Sequence, residues 1–141
     1  MIIPNKLKVN DEVRIIAPSR SLSIIDNETR EIANKRFEEL GLKLSFSKNC
    51  ELIDDFSSSS IEERIEDLHE AFLDKKVKAI FTVIGGDNVN QLLKYIDYTI
   101  VKKNPKIICG YSDTTALLNA LFHKTGLVTY SGPAYSTLGM L

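Results

Sequence analysis

Four times along this chain a short apolar run gives way to a loop and then to helical periodicity, and a fifth apolar run closes the series. Glu12-Val13-Arg14-Ile15-Ile16-Ala17-Pro18 reads as a strand ending at a proline, followed by the polar loop Ser19-Arg20-Ser21. Ile25, Thr29, Ile32, Ala33, Phe37 and Leu40 then recur at helical spacing and stop at Gly41. Residues 42–46 alternate as a second strand, and residues 48–59 form a polar loop. Ser60-Ile61-Glu62-Glu63 matches a capping box that opens a helix through Ile61, Ile65, Leu68, Phe72 and Leu73. Residues 77–84 form the strongest strand pattern, ending at Gly85-Gly86, after which Val89, Leu92, Leu93 and Ile96 mark a third helix. The strand Lys106-Ile107-Ile108-Cys109 meets Gly110-Tyr111-Ser112-Asp113 and a helix closing near Thr125-Gly126. Leu127-Val128-Thr129-Tyr130 is the fifth strand, leading into Ser131-Gly132-Pro133. This alternation predicts βαβ units in a three-layer α/β/α domain with a mainly parallel sheet, of flavodoxin- or Rossmann-like type.

The 141 residues suffice for one such domain and its core. Eighteen basic and nineteen acidic residues leave a net charge of −1, so charge gives no case for nucleic acid or a membrane surface as partner. No apolar run reaches spanning length and the start lacks a leader pattern, so the chain reads as cytoplasmic. Cys50 and Cys109 have no metal-ligand spacing, and Cys109 falls within a predicted buried strand. No metal and no cofactor is expected.

In parallel sheets ligands sit beyond the carboxyl ends of the strands. Here those ends carry Pro18–Ser21, Gly85–Asn90, Gly110–Asp113 and Ser131–Pro133, rich in glycine and serine. Ser112 stands in a very tight strand-to-helix turn, the layout of a nucleophile elbow, although Thr114 replaces the second glycine of the usual G-x-S-x-G. It faces the free N–H groups of a helix start, which favour a developing oxyanion. The same position suits a serine that merely caps its helix. Gly85-Gly86 serves equally as a plain tight turn or as a place where backbone approaches a ligand. In the second case an N–H of this pair and the Asp113 N–H form an oxyanion hole. Gly85-Gly86-Asp87-Asn88-Val89-Asn90 matches neither a dinucleotide loop nor a P-loop.

A serine nucleophile needs a base, and the chain has two histidines. His123 lies eleven residues past Ser112 along one helix, about 16 Å away. His69 lies mid-helix beside Leu68, where a structural role is expected. The end, Ala134 to Leu141, stops in apolar residues. The expected organisation is an α/β domain over 1–133, with 134–141 starting a linker to a C-terminal domain absent from this chain.

Taken in order, the motifs resemble one family. They are Glu12 to Ser19, Glu63-Arg64 with Asp67-Leu68-His69-Glu70-Ala71-Phe72-Leu73-Asp74, Gly85-Gly86, Asn104-Pro105-Lys106 leading to Gly110-Tyr111-Ser112-Asp113, Thr125-Gly126 and Gly132-Pro133. The chain is similar, over nearly its whole length, to the N-terminal domain of the LD-carboxypeptidase and microcin C self-immunity serine peptidases. That resemblance implies a class I glutamine amidotransferase-like domain with Ser112 as nucleophile. It implies an oxyanion held by backbone N–H groups at Gly86 and Asp113, and Gly85, Asp87, Asn88 and Ser19 as substrate-binding residues. A Ser-His-Glu triad would be completed by a C-terminal domain, leaving this chain inactive alone, and the full protein would be a homodimer. The Asn-bearing loop at 85–90 is closer to the immunity-protein pattern. The implied reaction is hydrolysis of an amide near a free carboxylate, in a peptidyl- or aminoacyl-nucleotide mimic. A murein tetrapeptide is the alternative substrate. From the residues alone two other classes stay open: a non-catalytic α/β ligand-binding module, and a flavodoxin-like regulatory domain, whose usual acidic strand-end cluster is not found here.

Overall fold

The computed structural model describes residues 1–140; Leu141, the last residue of the expected linker start, lies outside them. Five strands, β1 (Glu12–Ile16), β2 (Lys43–Phe46), β3 (Val77–Thr82), β4 (Ile107–Gly110) and β5 (Tyr130–Ser131), form an all-parallel sheet in the order β2-β1-β3-β4-β5. Side chains of successive strand residues point to opposite faces. Ile15 and Ala79 therefore join one core, with Ala33 and Phe37 of α1 (Asn27–Glu39). Their neighbours Ile16 and Ile80 join the other, with Leu68 and Phe72 of α2 (Ile61–Leu73), Val101 of α3 (Tyr98–Lys103) and Leu117 and Leu121 of α4 (Thr114–Thr125). The result is the expected α/β architecture, with a helical layer on each side of the sheet.

Local chemistry sets the boundaries. Ser60 accepts from the Glu63 N–H at 3.0 Å while Glu63 bonds back to the Ser60 N–H, so the capping box at the start of α2 is present. Gly126, at φ +79°, ends α4 in the left-handed conformation that glycine adopts without strain. Two expectations need correction. The helix after Gly85-Gly86 is a 3-10 segment, Val89–Tyr95, and α3 follows as a separate helix. Ile96 turns extended, and Asp97 then caps α3 by accepting from the Thr99 N–H at 3.0 Å. The fifth strand is shorter than 127–130 and shifted, because Leu127 pairs with Ile2 rather than with β4.

Residues 134–140, expected to begin a linker, fold here onto α1. In α5 (Tyr135–Leu138) the Tyr135 ring is fully buried, stacked on Phe37, and its hydroxyl donates to Asn34 Oδ1 at 2.6 Å.

The sheet order reverses between β1 and β3, so the chain leaves their carboxyl ends toward opposite sides and opens a crevice there. The loop after β4 borders the same edge.

Candidate active site

Ser112 is exposed and held at φ +60°, a left-handed conformation that is costly for a residue with a side chain. Only Tyr111, Ser112 and Asp113 separate the end of β4 from the start of α4, and this shortness imposes the strained turn. Neither Ser112 nor Asp113 caps the helix with its side chain. The Ser112 carbonyl does accept the Thr115 N–H at 2.9 Å, but its hydroxyl bonds to nothing among the described residues. A serine whose role is to cap would show the bond that is missing here.

The Asp113 side chain is spent on something else. Its Oδ2 accepts the Ser19 hydroxyl at 2.6 Å, the Val89 N–H at 3.0 Å and the Asn88 N–H at 3.1 Å. One carboxylate thus ties the elbow to the loops after β1 and β3. Ser19 is fully buried at this junction, and its hydroxyl also lies 3.4 Å from Asn88 Oδ1.

The two glycines let these loops close on one another. A Cβ on Gly85 would stand 3.1 Å from Ser112 Oγ and 3.5 Å from the Asp113 nitrogen. A Cβ on Gly86 would fall 2.2 Å from Ser19 Oγ and 3.0 Å from Arg20 Cγ. Gly85-Gly86 is therefore a close approach of three loops, more than the plain turn weighed from sequence. Asp87 is exposed beside it, and Asn88 enters the junction through its backbone and side chain.

Sequence reasoning assigns Arg64 no role of its own. It projects from α2, only 4% exposed, and donates to the Pro18 carbonyl at 3.1 Å, the Asn88 carbonyl at 3.3 Å and Gln91 Oε1 at 2.9 Å. The guanidinium thus binds the same β1 and β3 loops that Asp113 joins. Burial lowers its pKa, opposed by the charges of Asp54 and Asp113. A readable signal existed: Arg64 shares the inward stripe of its helix with Ile61 and Leu68.

Neither histidine joins Ser112. His69 accepts the Asp97 N–H on Nε2 at 2.9 Å, and burial lowers its pKa. His123 is exposed in the last turn of α4. The principal cavities also lie elsewhere: beside Leu22 and Tyr135, beside His69 and Leu73, and beside Phe72 and Lys106. Ser112 itself is exposed to solvent.

Known proteins share this sequence and fold. Residues 13–132 match the family described as "LD-carboxypeptidase N-terminal domain". The putative carboxypeptidase YocD of Bacillus subtilis is 53% identical over 136 residues, covering 96% of this chain and 42% of that protein. The MccF-like protein from Bacillus anthracis superposes with a TM-score of 0.99 at 57% identity, over 100% of this chain and 43% of its own. The structure of MccF in complex with glutamyl sulfamoyl guanosine gives 0.92 at 34% identity, over 98% and 42%. The chain thus spans about two fifths of the length of these relatives.

Proposed function

The chain belongs to the LD-carboxypeptidase peptidase family (S66), and from that premise we propose that it is the nucleophile-bearing domain of a serine carboxypeptidase or amidase. The observation that carries this is the strained, exposed and uncapped Ser112, set against Gly85 and beside the Asp113 N–H. In the proposed reaction Ser112 Oγ attacks the amide carbonyl as a base takes its proton. The oxyanion is held by the N–H groups of Gly86 and Asp113, whose dipoles need no reorganisation as charge develops. The amine then leaves with a proton, and water hydrolyses the acyl-enzyme.

Among the described residues neither histidine is placed to serve Ser112 as base, and the Asp113 carboxylate is taken up by three donors. We assign the triad's His and Glu to a C-terminal domain following residues 134–141, which leaves this chain inactive alone. Its coverage of about 42% of YocD supports that assignment. The remaining parts of the proposal are a cytoplasmic location, a homodimeric full protein, and substrate contacts from Gly85, Asp87 and Asn88; Ser19, expected among them, is buried with its hydroxyl on Asp113 and holds the loops together instead.

For substrate, the likeness to MccF solved with glutamyl sulfamoyl guanosine supports an aminoacyl- or peptidyl-nucleotide mimic. The family's description, with relatives described as murein peptide and murein tetrapeptide carboxypeptidases, supports a second choice, the L,D bond of a murein tetrapeptide. Turnover of a glutamyl sulfamoyl nucleoside and of an L,D-linked tetrapeptide by the full-length protein tests the proposal. Ser112→Ala is expected to cut the rate on the accepted substrate by several powers of ten. A near-parental rate in that variant overturns the assignment.

A further inference from the structure

Among the residues of the four strand-end loops, 17–21, 83–90, 110–113 and 131–133, Arg20 is the only cation. It is exposed, and the ion pairs among the described residues use Arg14, Arg30 and Lys48 instead. Exposed Asp87, its nearest acid in sequence along the facing loop, forms no pair with it, and Asp113 is already occupied by three donors. Arg64, the other cation of the region, is buried and spends its donors on carbonyl groups. Arg20 thus offers a whole guanidinium fork at the mouth of the site.

Its stem has a defined seat. Arg20 Cγ would stand 3.0 Å from a Cβ on Gly86, and Ser112 Oγ 3.1 Å from one on Gly85, in each case closer than an ordinary contact. The nucleophile and the stem that carries the guanidinium therefore rest on successive residues, whose Cα atoms stand about 3.8 Å apart. In a peptide losing its last residue, the scissile carbonyl and the free carboxylate are likewise one residue apart. A planar fork binds a carboxylate through two parallel N–H bonds.

We propose that Arg20 receives the free C-terminal carboxylate of a peptide whose scissile carbonyl lies at Ser112, making preference for the terminal residue a property of the β1 loop. This deepens, and rests on, the serine-hydrolase assignment above.

The test uses the full-length protein and a tetrapeptide ending in a D-residue, supplied as the free acid and as its C-terminal amide. The parent is expected to favour the acid. Arg20→Gln is expected to lower the acid-to-amide ratio of kcat/KM by about 10- to 100-fold, chiefly through KM, as loss of a charge-assisted pair implies. Arg20→Lys, which keeps the charge but not the fork, is expected to fall between. An unchanged ratio in Arg20→Gln overturns the role of Arg20 and leaves the hydrolase assignment standing. So does a parent that cleaves neither peptide yet turns over a glutamyl sulfamoyl nucleoside. A parent that turns over none of these, and whose Ser112 resists a serine-directed phosphonate, overturns both.

Discussion

The Asp113 carboxylate accepts the Ser19 hydroxyl at 2.6 Å across 94 residues of sequence, fastening the loop after β1 to the turn that holds Ser112. The same oxygen receives two backbone N–H groups from the loop after β3. Asp113→Ala leaves these donors without their acceptor. Its expected cost is about 3 kcal/mol, since each of the three unsatisfied donors costs on the order of 1 kcal/mol. Asp113→Asn keeps an acceptor oxygen and is expected to recover part of the loss. Urea unfolding of the three proteins checks this; an alanine variant within about 0.5 kcal/mol of the parent contradicts it.

Gly86→Ala acts on the same junction from the opposite side. The new Cβ would meet Ser19 Oγ at 2.2 Å, and Ser19 is buried, so its hydroxyl must leave Asp113. Overpacking of this kind costs roughly 1–3 kcal/mol. The variant is expected to unfold at lower urea, and pairing it with Ser19→Gly, which removes the obstacle, is expected to restore part of the loss. Equal stability of parent and Gly86→Ala would show that the loops give way freely.

His69 supplies a pH dependence. Burial lowers its pKa below the ordinary 6.5, and its Nε2 accepts the Asp97 N–H, so the folded state favours the neutral ring. On acidification through about 6.5 the unfolded chain takes up the proton first. Stability is therefore expected to fall as pH drops below that value, and to be insensitive to this group above it. Melting temperatures at pH 7.5 and 5.5 measure the effect. His69→Gln is expected to show a smaller drop than the parent, and an equal drop in both would contradict the assignment.

What sequence revealed and what it hid differ in range along the chain. The βαβ order, the capping box at Ser60 and the tight turn at Ser112 follow from residues within a few positions of each other. The interruption at Ile96–Asp97 was missed because Leu92, Leu93 and Ile96 keep helical spacing across a turn that changes helix type. The extent of β5 was missed because Leu127 is drawn to Ile2, at the other end of the chain. At the site, Ser112 and the glycine pair announce themselves by local chemistry. The second task of Asp113, as a carboxylate joining three loops, depends on contacts 24, 25 and 94 residues away that no local pattern encodes.

That Ser112 is the nucleophile is tested most directly with a serine-directed phosphonate, reading the adduct by mass on this chain and on the full-length protein. The expected result is labelling at Ser112 in the full-length protein and none in this chain, where neither histidine among the described residues serves the elbow. Absence of an adduct from both proteins, or an adduct at another serine, would contradict the account.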